Sequence, residues 1–126
     1  MTHKTIVIPG RLPSLNDYQR ECRRSPWHGN RMKQGDVDTC VVFIRQALRG
    51  VEIGKPVAIH YRFYEKNRRR DKMNVFAYAD KAFQDALTRE GVIRDDGWRH
   101  VDNATHSFFV DKEDPRVEVD IEELEN

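Results

Sequence analysis

The sequence predicts an α/β (α+β) domain: one mixed β-sheet of about four strands with three helices packed against it. Three observations carry this expectation. Residues 56–65 and 116–121 alternate side chains with the two-residue period of a strand. Residues 32–48 and 74–90 instead repeat their apolar residues at intervals of three and four, as amphipathic helices do. These elements interleave in the order β-α-α-β-α-β-β along 126 residues, the length of one small domain spanning 1–126.

Lys4 to Pro9 is short, β-branched and apolar, a first strand that Pro9-Gly10 stops. Ser14 is suited to N-cap a short helix through about Arg23, where Leu15, Tyr18 and Cys22 recur at helical spacing. Pro26 and Gly29 make Ser25 to Asn30 read as a turn. A longer helix from about Met32 to Leu48 turns Val37, Cys40, Val41, Ile44 and Leu48 inward. Gly50 ends it, and Gly54-Lys55-Pro56 turns the chain.

In the next strand Val57, Ile59, Tyr61 and Phe63 oppose Ala58, His60, Arg62 and Tyr64, giving it two distinct faces. Lys66 to Asp71 is a basic connection. Asn74 to Glu90 is the second long helix, with Phe76, Ala79, Phe83, Ala86 and Leu87 as its apolar stripe and Gly91 closing it. Arg94 to Trp98 turns, Thr105 to Val110 is strand-like, and Arg116 to Ile121 is the last strand.

Composition narrows the function classes. With 38% apolar and 34% charged residues the core is modest, and small charged domains of this kind often gain stability by dimerising. Met1 to Thr5 lacks the apolar run of a signal peptide and no stretch is long enough to span a bilayer, so a cytoplasmic protein with no membrane partner is expected. Cys22 and Cys40 have no ligand or CxxC spacing and read as free thiols. The five histidines share no metal-ligand spacing, Ser14 and Ser25 sit in no nucleophile elbow, and no glycine-rich phosphate loop implies a nucleotide cofactor. Charge is divided along the chain. Residues 1–72 hold 16 Lys/Arg against 7 Asp/Glu (+9), and residues 73–126 hold 6 against 14 (−8). A basic half can grip phosphates and an acidic half can grip a cation, the two requirements of a nuclease.

The densest chemistry is Arg68-Arg69-Arg70-Asp71-Lys72-Met73-Asn74, leading into the second long helix. Guanidinium groups there can take phosphate oxygens while Asp71 takes a metal; a solvated basic loop is the plainer alternative. Asn74, Tyr78, Lys81 and Asp85 fall on one stripe opposite the apolar one, so Lys81 can reach an attacked phosphate or simply pair with Asp85. Asp95-Asp96 sets two repelling carboxylates in one tight loop, for which a cation is a natural reason; Asp95 shaping the turn before Gly97 is the other. Tyr18, Trp27, Arg20, Arg23, Arg24 and Arg31 can form an aromatic and basic patch, or be ordinary core aromatics and solvated arginines.

Taken together, Arg69-Arg70-Asp71, Asn74-Val75, Lys81 to Leu87, Gly91-Val92-Ile93 and Asp95-Asp96 resemble the RusA family of Holliday junction resolvases. The likeness extends less specifically to Leu12 to Asn16 and the last strand. It implies a phage- or prophage-type endodeoxyribonuclease of DNA recombination and repair. Such an enzyme works as a homodimer, depends on Mg²⁺ (Mn²⁺ being the alternative ion), and cuts branched DNA at four-way junctions. The resemblance makes Asp71, Asp96 and Lys81 catalytic, with Asp71, Asp96 and Asp95 at the metal. The bases and polar groups of the motif, Arg68, Arg69, Arg70, Lys72 and Asn74, are then expected on DNA. One position departs: the family's Asp-x-Asp-Asn reads Asp71-Lys72-Met73-Asn74 here, and a thioether does not bind Mg²⁺. Glu65, Asp80 or Asp85 can complete the site, or the protein binds junctions without cutting them. The interval from Asn74 to Lys81 is also longer than in the best-known members.

Overall fold

The chain runs β1 (His3–Pro9), α1 (Leu15–Arg24), α2 (Pro26–Leu48), β2 (Val57–Glu65), α3 (Lys72–Arg89), β3 (Val101–Val110) and β4 (Arg116–Glu123). The computed structural model describes residues 3–125; Met1 and Thr2, which open the N-terminal stretch discussed above, lie outside them. The four strands form one mixed sheet in the order β1-β4-β2-β3. β4 pairs antiparallel with both β1 and β2, whereas β2 and β3 are parallel and α3 makes the crossover between them. This is the small α+β domain that the interleaved pattern predicts.

One face of the sheet is apolar and covered. Val57, Ile59, Tyr61 and Phe63 of β2, Val117, Val119 and Ile121 of β4, and Ile6 and Ile8 of β1 all point into it. Val37, Cys40, Val41, Ile44 and Leu48 of α2, with Val75, Ala79, Ala82, Phe83, Ala86 and Leu87 of α3, close over them. Each large side chain taken from water here contributes about 1.5–3 kcal/mol, which makes this layer the main source of stability. The opposite face is open and held by charge: Arg62 pairs with Glu118 and Asp120, and Arg116 bonds Glu118 while lying 3.9 Å over the Tyr64 ring.

Local signals explain most boundaries. Ser14 caps α1 in a reciprocal box with Asp17, whose carboxylate accepts from the Ser14 backbone and is held below its ordinary value by that bond. Gly91 takes φ 75° beyond α3, and the Val92 amide donates to the Leu87 carbonyl, closing the helix as expected.

Three expectations need correction. Ser25 to Asn30 is no turn: Ser25 caps α2, accepting from the His28 amide, and Pro26 occupies the first turn, where its missing N–H is harmless. Gly29 lies within the helix because Cys22 of α1 packs where a Cβ would go. β3 starts at Val101, four residues before the expected Thr105, since pairing along β2 sustains a strand that its own polar residues do not announce. Tyr78 belongs to the buried side of α3, where its hydroxyl donates to Asp36 Oδ2 at 2.5 Å.

Candidate functional site

At the start of α3, β2 ends in Glu65, a carboxylate only 6% exposed. Arg70 forks onto it, Nε to Oε1 at 2.8 Å and a terminal nitrogen to Oε2 at 2.9 Å, and donates a third bond to the Leu12 carbonyl at 2.6 Å. A buried acid answered this way ties three chain segments together, so Arg70 serves the fold before any ligand. Arg68, Arg69 and Lys72 differ. All three are exposed, and none has an acidic partner among the described residues. Arg68 and Lys72 line an open cleft of about 270 Å³ with Phe108 and Phe109, and Lys72 Nζ stands 5.9 Å over the Phe108 ring.

Asp71 occupies the N-cap of α3, its Oδ1 accepting from the Asn74 amide at 3.0 Å. Asn74 is half-buried, and Met73 is 57% exposed beside them. Thus Asp71 already has a local task in the helix, and the position that would carry the second motif acid presents a thioether to solvent.

Further along α3, Lys81 Nζ lies 3.1 Å from Asp96 Oδ2 and 3.2 Å from Asp85 Oδ1. The Asp96 bond first, then the Asp85 bond, raises the Lys81 pKa above its ordinary value and holds the ammonium charged. Lys33 of α2 reaches Asp85 from the other side at 3.1 Å. Lys81, Asp85 and Asp96 line an open cleft of about 390 Å³ together with Gln34, Val37 and Asp95. Asp95 shapes the loop: its Oδ1 accepts from the Gly97 amide at 2.8 Å, and its Oδ2 lies 3.8 Å from His100 Nε2.

The sequence-predicted site is therefore divided between two places. Lys81, Asp96 and Asp95 share one cleft, which Asp85 joins. Asp71 lines neither cleft; the ten-residue step from Asp71 to Lys81 spans about 15 Å of helix. Within one chain the expected convergence of Asp71 with Asp96 is not seen, because capping holds Asp71 at the helix start. Among the described residues no group of three or more His, Cys, Asp and Glu is arranged to hold a metal. Asp85 and Asp96 do aim oxygens at a single cation, here Lys81 Nζ, and two hard oxygen donors suit Mg²⁺, which commonly takes one or two carboxylates with waters and phosphate oxygens. Of the other acids considered, Glu65 is consumed by Arg70 and Asp80 accepts from Tyr61 and Gln84.

Lys33 and Trp98 escaped the sequence reading. Lys33 is 52 residues from Asp85, and nothing local to it signals the pair. Trp98 stands in the same short loop as the two acids, which was a usable signal. Of the two readings of Tyr18, Trp27 and the nearby arginines, the plainer one describes most of them: Tyr18 packs on Tyr78, and Arg20 and Arg24 pair with Asp17 and Glu21, while Arg31 lies over the Trp27 ring. No family model matches the chain, and no curated protein does.

Proposed function

We propose that the chain is a divalent-metal-dependent endodeoxyribonuclease of RusA type, acting as a homodimer on four-way and other branched DNA in recombination and repair. The observation that carries this reading is the Lys81 ammonium held between Asp85 and Asp96 in an open cleft, on the helix whose approach displays cations without acidic partners among the described residues. Arg68, Arg69 and Lys72 bind the phosphate backbone, and affinity falls steeply with salt as condensed counterions are released. Asp96 and Asp85 would hold Mg²⁺ or Mn²⁺, and the part that the resemblance gives Asp71 requires the start of α3 in one protomer to meet this cleft in its partner. When bound, such an ion supplies Lewis acidity and a water of lowered pKa. Lys81 neutralises charge developing on the phosphate. A homodimer sets two equivalent clefts against the two equivalent strands of a junction.

Incubating the full-length protein with a four-way junction and a linear duplex, in Mg²⁺ and in EDTA, tests the reading. Paired symmetric nicks confined to the junction in Mg²⁺ are expected. Absence of metal-dependent cutting by the wild type overturns the nuclease. A second reading, a junction-binding protein that does not cut, is favoured by Met73 and by the engagement of Asp71 as a cap. Met73→Asp separates the two: a gain in Mg²⁺-dependent cutting means that the missing carboxylate limits the wild type, and no gain in a fully active wild type means that another acid completes the site.

A further inference from the structure

The loop after α3 holds the most exposed large apolar side chain among the described residues. Trp98 is 99% exposed, and it touches none of the aromatic rings or cations that commonly shelter a surface indole. Trp27 makes the contrast. At 61% exposed it keeps Arg31 over its ring at 5.1 Å and His28 against its edge at 5.1 Å.

The turn that presents Trp98 is well anchored. The Gly97 amide donates to Asp95, the Gly97 carbonyl accepts from both the His100 and Val101 amides at 3.0 Å, and Asp96 is ion-paired to Lys81. Chain geometry limits Trp98 to about 7 Å, Cα to Cα, from Asp96. Arg99 follows it directly and Arg94 opens the same loop, both exposed and without an acidic partner among the described residues. An anchored, bare indole thus stands two residues along the chain from Asp96, whose carboxylate lines the Lys81 cleft.

We propose that Trp98 is a stacking platform for an unpaired nucleobase at the branch point, with Arg94 and Arg99 taking the phosphates on either side; this rests on the DNA-directed reading above. The chemistry selects that occupant. A nucleobase offers a flat π-face to the indole and brings anionic phosphates to a loop that carries two exposed arginines, and such stacking tolerates any base. Linear duplex keeps its bases stacked on one another, whereas a junction centre can release one. Trp98 therefore contributes to telling branched from linear DNA, a task separate from cutting.

Trp27→Phe leaves Trp98 as the single tryptophan, so its fluorescence reports directly. In EDTA, where cutting is blocked, a four-way junction is expected to quench that emission by more than half and linear duplex to quench it little. Trp98→Ala is expected to lower junction affinity about tenfold with duplex affinity unchanged, and Trp98→Phe to retain most of it. Because the side chain has no packing role, thermal melts of both variants should match the wild type. Equal quenching by junction and duplex, or wild-type junction affinity in Trp98→Ala, overturns the proposal. So does a change in sedimentation of free Trp98→Ala, which assigns Trp98 to an interface between copies. Should the wild type itself fail to prefer junctions, the nuclease reading falls and this inference falls with it; if the wild type discriminates and Trp98→Ala does so equally well, only the stacking role is lost.

Discussion

Helix α3 carries charge at its start and again at its middle, and the two places treat it differently. At the start, Arg68, Arg69 and Lys72 face solvent without acidic partners among the described residues, while the one acid among them, Asp71, turns onto the backbone as a cap. Ten residues on, Lys81 meets Asp85 and Asp96, and Lys33 closes the cluster from α2. Unanswered cations are available to an anionic ligand, whereas mutually neutralised groups are already positioned at little electrostatic strain. The comparison separates a surface that grips a polyanion from a cleft built around one cation.

The strongest attempt to break that separation is Asp71→Asn. Asparagine caps as well as aspartate, so stability should hold, while Asp71→Ala should cost about 1 kcal/mol. If the start and the middle of α3 serve one centre, Asp71→Asn still binds junctions in a mobility-shift assay but loses detectable cleavage. Normal cutting by this variant would leave Asp71 as a cap alone.

Lys81→Met tests the middle of the helix. Single-turnover rates are expected to fall about 10²–10³-fold, the loss typical of removing one preorganised charge-stabilising donor. A rate within a few-fold of the wild type would reduce Lys81 to a counter-ion for Asp85 and Asp96.

Arg68→Ala with Arg69→Ala should weaken binding without touching the cleft. Each lost phosphate contact lowers the slope of log affinity against log salt by about 0.9, and the cutting rate of saturated complex should stay unchanged. A slope equal to the wild type's would mean that neither arginine meets phosphate.

The smallest expected effect is on stability at alkaline pH. Since folding raises the Lys81 pKa, its contribution is fully present below the ordinary lysine value of 10.5 and is lost as pH rises through the higher folded value. Urea denaturation from pH 9 to 12 should show that limb in the wild type and a flatter one in Lys81→Met. The side chain is 57% exposed, so solvent screening keeps the difference slight.

Much of the fold was legible because its signals are local. The alternation in β2 and β4, the apolar stripes of α2 and α3, the Ser14 cap and Gly91 all act over one or two turns of chain. Where reading failed, a contact elsewhere had intervened. Cys22 makes room for Gly29 inside α2, Asp36 draws Tyr78 inward, and β2 lends β3 its first four residues. The candidate site was legible as a set of residues but not as a grouping: Asp96 and Lys81 were identified together, while Asp85 could not be chosen over Glu65 or Asp80.

Periodicity, capping and charge composition are properties of a segment and its backbone, and they determined the mixed sheet, its helices and the basic entry to α3 from the amino-acid order alone. Which charges meet is set by packing between distant segments, over distances that a linear order does not contain. Only the tertiary structure could bind Arg70 to Glu65, bring Lys33 to Asp85, set Asp71 apart from Asp96 and leave Trp98 bare.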